Sequence, residues 1–248
     1  MSALVGHRGL PTYAPENTEP SIRCAAEQNI EWIEIDVTMA GDGSLVIMHD
    51  ADLRLFKQPD IQLSKISEKE LTQIDAGGWF SEEFKGEPLL FLDKMLDLVK
   101  ELNLKLNLEI KVNPSLDLSQ QVLSVYETLN KHRIPFQDLI ISSFNIDALE
   151  LLRAQSSTVQ IAVLYENIPD NLLNDVLHLF PVSIHCDQSK LTEYQARHIV
   201  PHYPLYCYTV NDTVTFERLL KLGISGIFSD RAEANELRQL ANGYFAQS

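Results

Sequence analysis

Two short stretches carry pairs of ionisable residues two positions apart. In Glu31-Trp32-Ile33-Glu34-Ile35-Asp36-Val37 the charged and apolar residues alternate, and Asn107-Leu108-Glu109-Ile110-Lys111 repeats the device. Residues two apart on a strand share a face. Glu34 and Asp36 therefore point one way, and Ile33, Ile35 and Val37 the other. Two unpaired carboxylates on a buried strand are costly. A divalent cation removes that cost, and oxygen ligands suit Mg²⁺ or Ca²⁺. The plain alternatives are a strand end facing solvent for Glu34 and Asp36, and a simple ion pair for Glu109 and Lys111. Repetition of the device at the same end of a neighbouring strand favours a metal centre of Glu34, Asp36 and Glu109, with Lys111 as a cation beside it.

Two histidines could move protons near that centre. His7-Arg8-Gly9 closes the first apolar run. An imidazole can take or give a proton, and Arg8 can hold a phosphate through two parallel hydrogen bonds. Taken alone, His7 reads as a residue capping a loop. His49-Asp50 follows the turn Gly41-Asp42-Gly43. That turn sends the chain back, so residues 45–48 return His49 toward Glu34 and Asp36. Taken alone, His49 reads as a surface loop residue. Together the pair supplies a base for an attacking hydroxyl and an acid for a leaving alkoxide, each worth about 10²–10⁴-fold in rate. His132, His178, His198 and His202 are read as surface residues, and His185 is left unassigned. No phosphate loop, dinucleotide fingerprint, zinc-protease helix or nucleophile elbow is present.

The elements that must position these residues alternate along the chain. Strands are expected at 3–7, 32–37, 105–110, 139–142, 160–164, 183–186, 205–208 and 226–229. Helices are expected at 18–28, 91–102, 118–131, 146–155, 170–179, 192–200, 213–222 and 232–241. Asn17 or Thr18, Asn145 and Asp212 are candidate N-caps, and for Asn17 the cap is preferred to a site contact. Eight strand–helix units in this length fit a (β/α)8 TIM barrel with right-handed crossovers better than an open doubly wound sheet. Roughly fifty residues separate the second strand from the next helix, too many for a simple loop. Residues 50–89 are read as an insertion over the barrel mouth within a single domain spanning 1–248. Its Trp79 and Phe80 either wall a substrate or pack the insertion.

The chain has 248 residues, 45% hydrophobic and 22% charged, which fits a globular core rather than disorder. A formal net charge of −15 speaks against nucleic acid and anionic lipid as partners. Cys24, Cys186 and Cys207 form no C-x-x-C pair and are an odd number, so they are expected to be reduced and buried. With no signal-like start and no bilayer-length apolar run, the expectation is a cytoplasmic protein without membrane insertion, a homodimer being allowed.

An ordered set of motifs resembles the glycerophosphodiester phosphodiesterase family, closest to its small bacterial cytoplasmic members. The set runs from His7-Arg8-Gly9 and Ala14-Pro15-Glu16-Asn17-Thr18 through Glu34-Ile35-Asp36-Val37, Asp42-Gly43 and Val46-Ile47-Met48-His49-Asp50. It continues with Glu109-Ile110-Lys111, Ser142-Ser143-Phe144, Thr209-Val210-Asn211 and Ser229-Asp230. The stretch 75–80, with Phe84-Lys85-Gly86-Glu87-Pro88, resembles the family's substrate-side loop. The resemblance implies a TIM barrel that hydrolyses glycerophosphodiesters to sn-glycerol 3-phosphate and an alcohol such as choline or ethanolamine. It implies Mg²⁺ or Ca²⁺ on Glu34, Asp36 and Glu109, acid–base work by His7 and His49, and Arg8 and Lys111 near the phosphate. The chain departs from the family pattern at Leu53–Pro59, where an Arg-Thr-rich stretch is usual, and at Tyr208, where a tryptophan is common. The alternatives are a lysophospholipase D-like or other metal-dependent barrel hydrolase, or a barrel that binds without turnover.

Overall fold

The computed structural model describes residues 1–169 and 171–246. Eight parallel strands close on themselves: β1 (Leu4–His7), β2 (Trp32–Met39), β6 (Lys105–Ile110), β7 (Leu139–Ser143), β8 (Ile161–Tyr165), β9 (Ser183–Asp187), β10 (Leu205–Tyr208) and β11 (Gly226–Ser229). The first strand pairs with both the second and the last, so the barrel has no open edge. A short β3 (Leu45–Ile47) runs antiparallel on β2, and β4 (Asp52–Leu53) pairs with β5 (Gln58–Gln62) in a separate hairpin. The TIM barrel expected from the strand–helix alternation is the fold.

Helices α1 (Glu19–Glu27), α3 (Leu92–Glu101), α4 (Leu118–His132), α5 (Ile146–Gln155), α6 (Leu172–Val176), α7 (Glu193–Ile199), α8 (Thr213–Leu220) and α9 (Asn235–Phe245) follow the barrel strands, and a one-turn α2 (Glu68–Leu71) lies in the insertion. The expected helix from 170 starts later, and Asp170 lies outside the described residues. The last helix begins at Asn235 rather than 232. Asn145 and Asp212 accept backbone N–H groups at 2.8 Å in the first turns of α5 and α8, as their side chains predict.

The strand alternation sorts two cores. Ile33, Ile35 and Val37 face outward from β2 into the layer between sheet and helices. Inside, Val5, Trp32, Ile140, Ala162, Tyr206 and Phe228 pack as an apolar plug in the barrel. The polar residues of the same strands lie toward the C-terminal ends, the end where sites of this fold form. Cys186 and Cys207 are buried with their sulfurs 3.8 Å apart, while Cys24 is only half-buried.

The insertion packs Leu53, Leu63, Leu71 and Leu89 onto Val46 and Met48 of the β3 segment in a separate small core. Trp79 donates its indole N–H to the Ala76 carbonyl at 2.8 Å and meets Phe80 edge to face, as Phe80 meets Phe84. These aromatics pack the insertion.

Candidate active site

Strand register assembles the site. In the ladder between β1 and β2, His7 lies opposite Glu34, and between β2 and β6, Asp36 lies opposite Glu109. All four side chains project into the barrel at its C-terminal end. The turn through Gly43, at φ +93°, returns β3 along β2, where Val37 pairs with Ile47. The Met48 N–H then donates to the Asp36 carbonyl at 3.1 Å, which sets His49 beside the same carboxylates.

Glu34, Asp36 and Glu109 are buried and each offers an oxygen within 4.8 Å of the others. Burial, reinforced by the charges of Asp36 and Glu109, pushes the Glu34 carboxyl well above the usual range. Burial and Asp36 push Glu109 up to about 7 against the pull of Lys111. Burial also opposes the charge on Asp36, but Lys111, Arg8 and His49 together hold it below its ordinary value. Negative charge is thus concentrated on Asp36 and resisted on its two neighbours. Glu34 Oε1 is buried with no hydrogen-bond partner among the described residues. An all-oxygen cluster that resists its own ionisation and leaves one oxygen unpartnered fits a hard divalent cation.

Two basic side chains flank the cluster. Arg8 adopts φ +55°, an uncommon conformation for a residue with a Cβ, and this aims its N–H at Glu34 Oε2, 3.0 Å away. Its guanidinium reaches Glu16 at 2.7 Å and lies 3.3 Å from Asp36. Lys111 sits 2.6 Å from Glu109, 3.5 Å from Asp36 and over the Phe144 ring at 5.4 Å. Burial works against both cations, yet the carboxylates around them raise both above their ordinary pKa.

His7 Nδ1 lies 2.7 Å from Asp230 Oδ1. The other oxygen of Asp230 accepts from Asn211 Nδ2 at 2.7 Å, and Asn211 Oδ1 in turn accepts the Asp230 N–H at 2.9 Å. This chain leaves His7 Nε2 for the pocket, 3.9 Å from Glu34. His49 Nδ1 meets Asp50 Oδ1 at 3.0 Å. Burial lowers the His49 pKa, with Arg8 and Lys111 adding to it and Asp36 and Asp50 opposing it.

His7, Arg8, Glu34, His49, Glu109 and Lys111 all line one pocket, which encloses about 500 Å³ of space partly open to solvent. Asp36 lies directly behind them. Tyr208 lines the same pocket and donates its hydroxyl to the Tyr165 carbonyl at 2.9 Å. The residues expected from spacing therefore converge.

One expectation is overturned. Asn17 does not cap α1, because Thr18 does, with its hydroxyl accepting from Ser21 N. Asn17 instead grips Asp36 twice, donating to its carboxylate at 2.9 Å and accepting its backbone N–H at 3.2 Å. A left-handed backbone at φ +58° turns the side chain inward. Asp230 and Asn211 carried only a motif signal in the sequence. A carboxylate at the end of the last barrel strand is adjacent to the first strand once the barrel closes, and that rule could have paired Asp230 with His7. Of the histidines read as surface residues, His132 has its side chain largely covered and held between Asp93 and Asp97.

Barrel, acidic triad and flanking histidines define a hydrolase of the metal-assisted kind. The model of the glycerophosphoryl diester phosphodiesterase family matches residues 7–234. The chain belongs to that family, and with it to the phosphoric diester hydrolases. It is 27% identical over 237 residues to a glycerophosphodiester phosphodiesterase of Caldanaerobacter subterraneus, covering 93% of this chain and 94% of that one. A Bacillus subtilis glycerophosphodiester phosphodiesterase is 28% identical, over 91% of this chain and 82% of that one. Among solved structures, an Oleispira antarctica phosphodiesterase in complex with the product sn-glycerol-3-phosphate superposes with a TM-score of 0.90 at 29% identity, covering 98% and 97% of the two chains.

Proposed function

We propose that this protein hydrolyses glycerophosphodiesters to sn-glycerol 3-phosphate and an alcohol such as choline or ethanolamine. Residues 1–248 act as one catalytic domain in this reading. Glu34, Asp36 and Glu109 hold a Mg²⁺ or Ca²⁺ ion, and His7 and His49 are the acid–base pair. The observation that carries the reading is the buried triad with an unpartnered oxygen, flanked by two imidazoles in one pocket. The product bound to the Oleispira antarctica relative supports the choice of substrate.

A divalent cation held by Glu34, Asp36 and Glu109 would supply positive charge against the negative charge that grows on the phosphoryl oxygens. Arg8 and Lys111 add fixed positive charge on the same side. Each histidine has Nδ1 committed to a carboxylate, Asp230 or Asp50, so each presents Nε2 for proton transfer. One takes the proton of the attacking hydroxyl, and the other gives a proton to the departing alkoxide. Tyr208 and Phe144, edge to face at 5.9 Å, both wall the pocket. Trp79 and Phe80 pack on each other within the insertion, and neither lines the pocket that holds His7, Glu34 and His49. No helix among the described residues is long and apolar enough to cross a membrane. The three free thiols support a reducing compartment, and we place the protein in the cytoplasm on that ground.

The test is release of sn-glycerol 3-phosphate from glycerophosphocholine and glycerophosphoethanolamine, with and without EDTA. The expected outcome is turnover that EDTA abolishes and Mg²⁺ or Ca²⁺ restores. Turnover of neither diester, or full turnover in EDTA, would overturn the reading.

A further inference from the structure

Where the pocket meets the apolar plug, the barrel carries two polar atoms that the mechanism does not use. Asn107 and His185 project inward from β6 and β9 and line the same cavity as His7 and Glu34. Asn107 spends its Nδ2 on Ser142 Oγ at 2.9 Å, and its Oδ1 is buried without a partner. His185 is fully buried, with Nε2 2.9 Å from Ser183 Oγ and Nδ1 buried without a partner. Its ring packs 4.8 Å from Phe228 and 5.7 Å from Tyr206, which fixes its direction.

Buried polar atoms in folded proteins are nearly always paired. Two orphans in one cavity, beside the reacting centre, mark the place of a ligand's polar group. Burial holds the His185 pKa down to about 3, so the ring is neutral at working pH and carries no charge for a phosphate or a carboxylate. Asn107 Oδ1 only accepts, whereas His185 Nδ1 donates or accepts according to tautomer. If the Ser183 hydroxyl donates to Nε2, Nδ1 carries the proton. Hydroxyl chemistry suits both atoms, since a hydroxyl can donate to Asn107 Oδ1 or accept from His185 Nδ1. A cation would find only a single carbonyl oxygen, and an anion would meet that oxygen's lone pairs.

We propose that Asn107 and His185 form a hydroxyl-recognition subsite that receives a free hydroxyl of the substrate's glycerol moiety. It rests on the hydrolase reading above and adds a specificity determinant to it. The subsite selects a polyol on the retained side of the phosphate and is indifferent to the departing alcohol.

The test compares binding of sn-glycerol 3-phosphate and n-propyl phosphate, which lacks both hydroxyls, by calorimetry with Mg²⁺ present. The wild-type protein should bind the glycerol ester about tenfold to a hundredfold more tightly. In Asn107→Leu and in His185→Phe that ratio should fall toward one, with the affinity for n-propyl phosphate retained as the sign of a folded phosphate site. A variant that fails to fold is bypassed by a measurement on the wild-type protein. Its His185 Nδ1 ¹⁵N resonance should move on saturation with sn-glycerol 3-phosphate and stay in place with n-propyl phosphate. Equal affinities in the wild type, or an unmoved resonance because a water keeps the position, would overturn the subsite while turnover of glycerophosphocholine still upheld the hydrolase. Loss of turnover together with no binding of either ligand would overturn both.

Discussion

The two histidines of the site are held in different ways. His7 ends β1, and its partner Asp230 follows β11, 223 residues later. Asn211, beyond β10, braces that partner through two further hydrogen bonds. Three adjacent strand ends therefore fix one imidazole, and barrel closure makes the contact. His49 follows β3, an antiparallel addition outside the barrel, and its partner is the next residue in the chain. Its side chain is 37% exposed, against 18% for His7. A second small pocket behind it is bounded by Leu55, Phe56 and Leu89 of the insertion. One proton-transfer group belongs to the scaffold and the other to the segment that leads into the insertion. The departure from the family pattern at Leu53–Pro59 falls on the His49 side, where Leu55 and Phe56 share a pocket with that imidazole.

The largest effect should come from removing either imidazole. His7→Ala and His49→Ala should each lower kcat by about 10²–10⁴-fold while the fold is kept, measured by initial rates and circular dichroism. Near-normal turnover of either variant would remove that histidine from the mechanism. The next effect separates the two corners. Asp230→Asn should lower kcat by about 10²-fold or more with little change in KM, because an amide no longer fixes the His7 tautomer. Asp50→Asn should cost about tenfold or less, since water can reach His49 and replace the partner. Equal losses in the two variants would erase the distinction between a braced and an open histidine.

How much of this was readable in advance follows the range of the contacts. β6, β10, β11 and α5 coincide with their expected bounds, because period-two and period-3.6 patterns are local. The triad was legible because alternation fixes which face a side chain takes, and parallel register then sets Asp36 beside Glu109. Asn17 was misread because a polar residue at the mouth of a helix gives the same signal whether it caps or reaches away. Only the left-handed turn that points it at Asp36 decides between them. The brace on His7 was hidden for the opposite reason: its members lie at the two ends of the chain. Trp79 and Phe80 could not be assigned from sequence, since an aromatic beside glycines serves a substrate wall or a local cluster equally well.

The smallest effect is a displacement on the pH axis, and its sign follows from the contacts of His49. Burial holds this imidazole below its ordinary pKa, and two carboxylates resist that by favouring the charged ring. The nearby charge of Asp36 contributes more than the hydrogen bond of Asp50. Asp50→Asn removes the weaker support, so the charged ring becomes less favourable and its pKa falls further. The limb of the kcat/KM profile that belongs to His49 should therefore move to lower pH, by less than about one unit, because Asp36 remains. A profile taken from pH 4.5 to 9 on both proteins reads the shift directly. Movement to higher pH would mean that Asp50 does not stabilise the imidazolium. A shift of more than a unit would make Asp50, rather than Asp36, the main support of the charged ring.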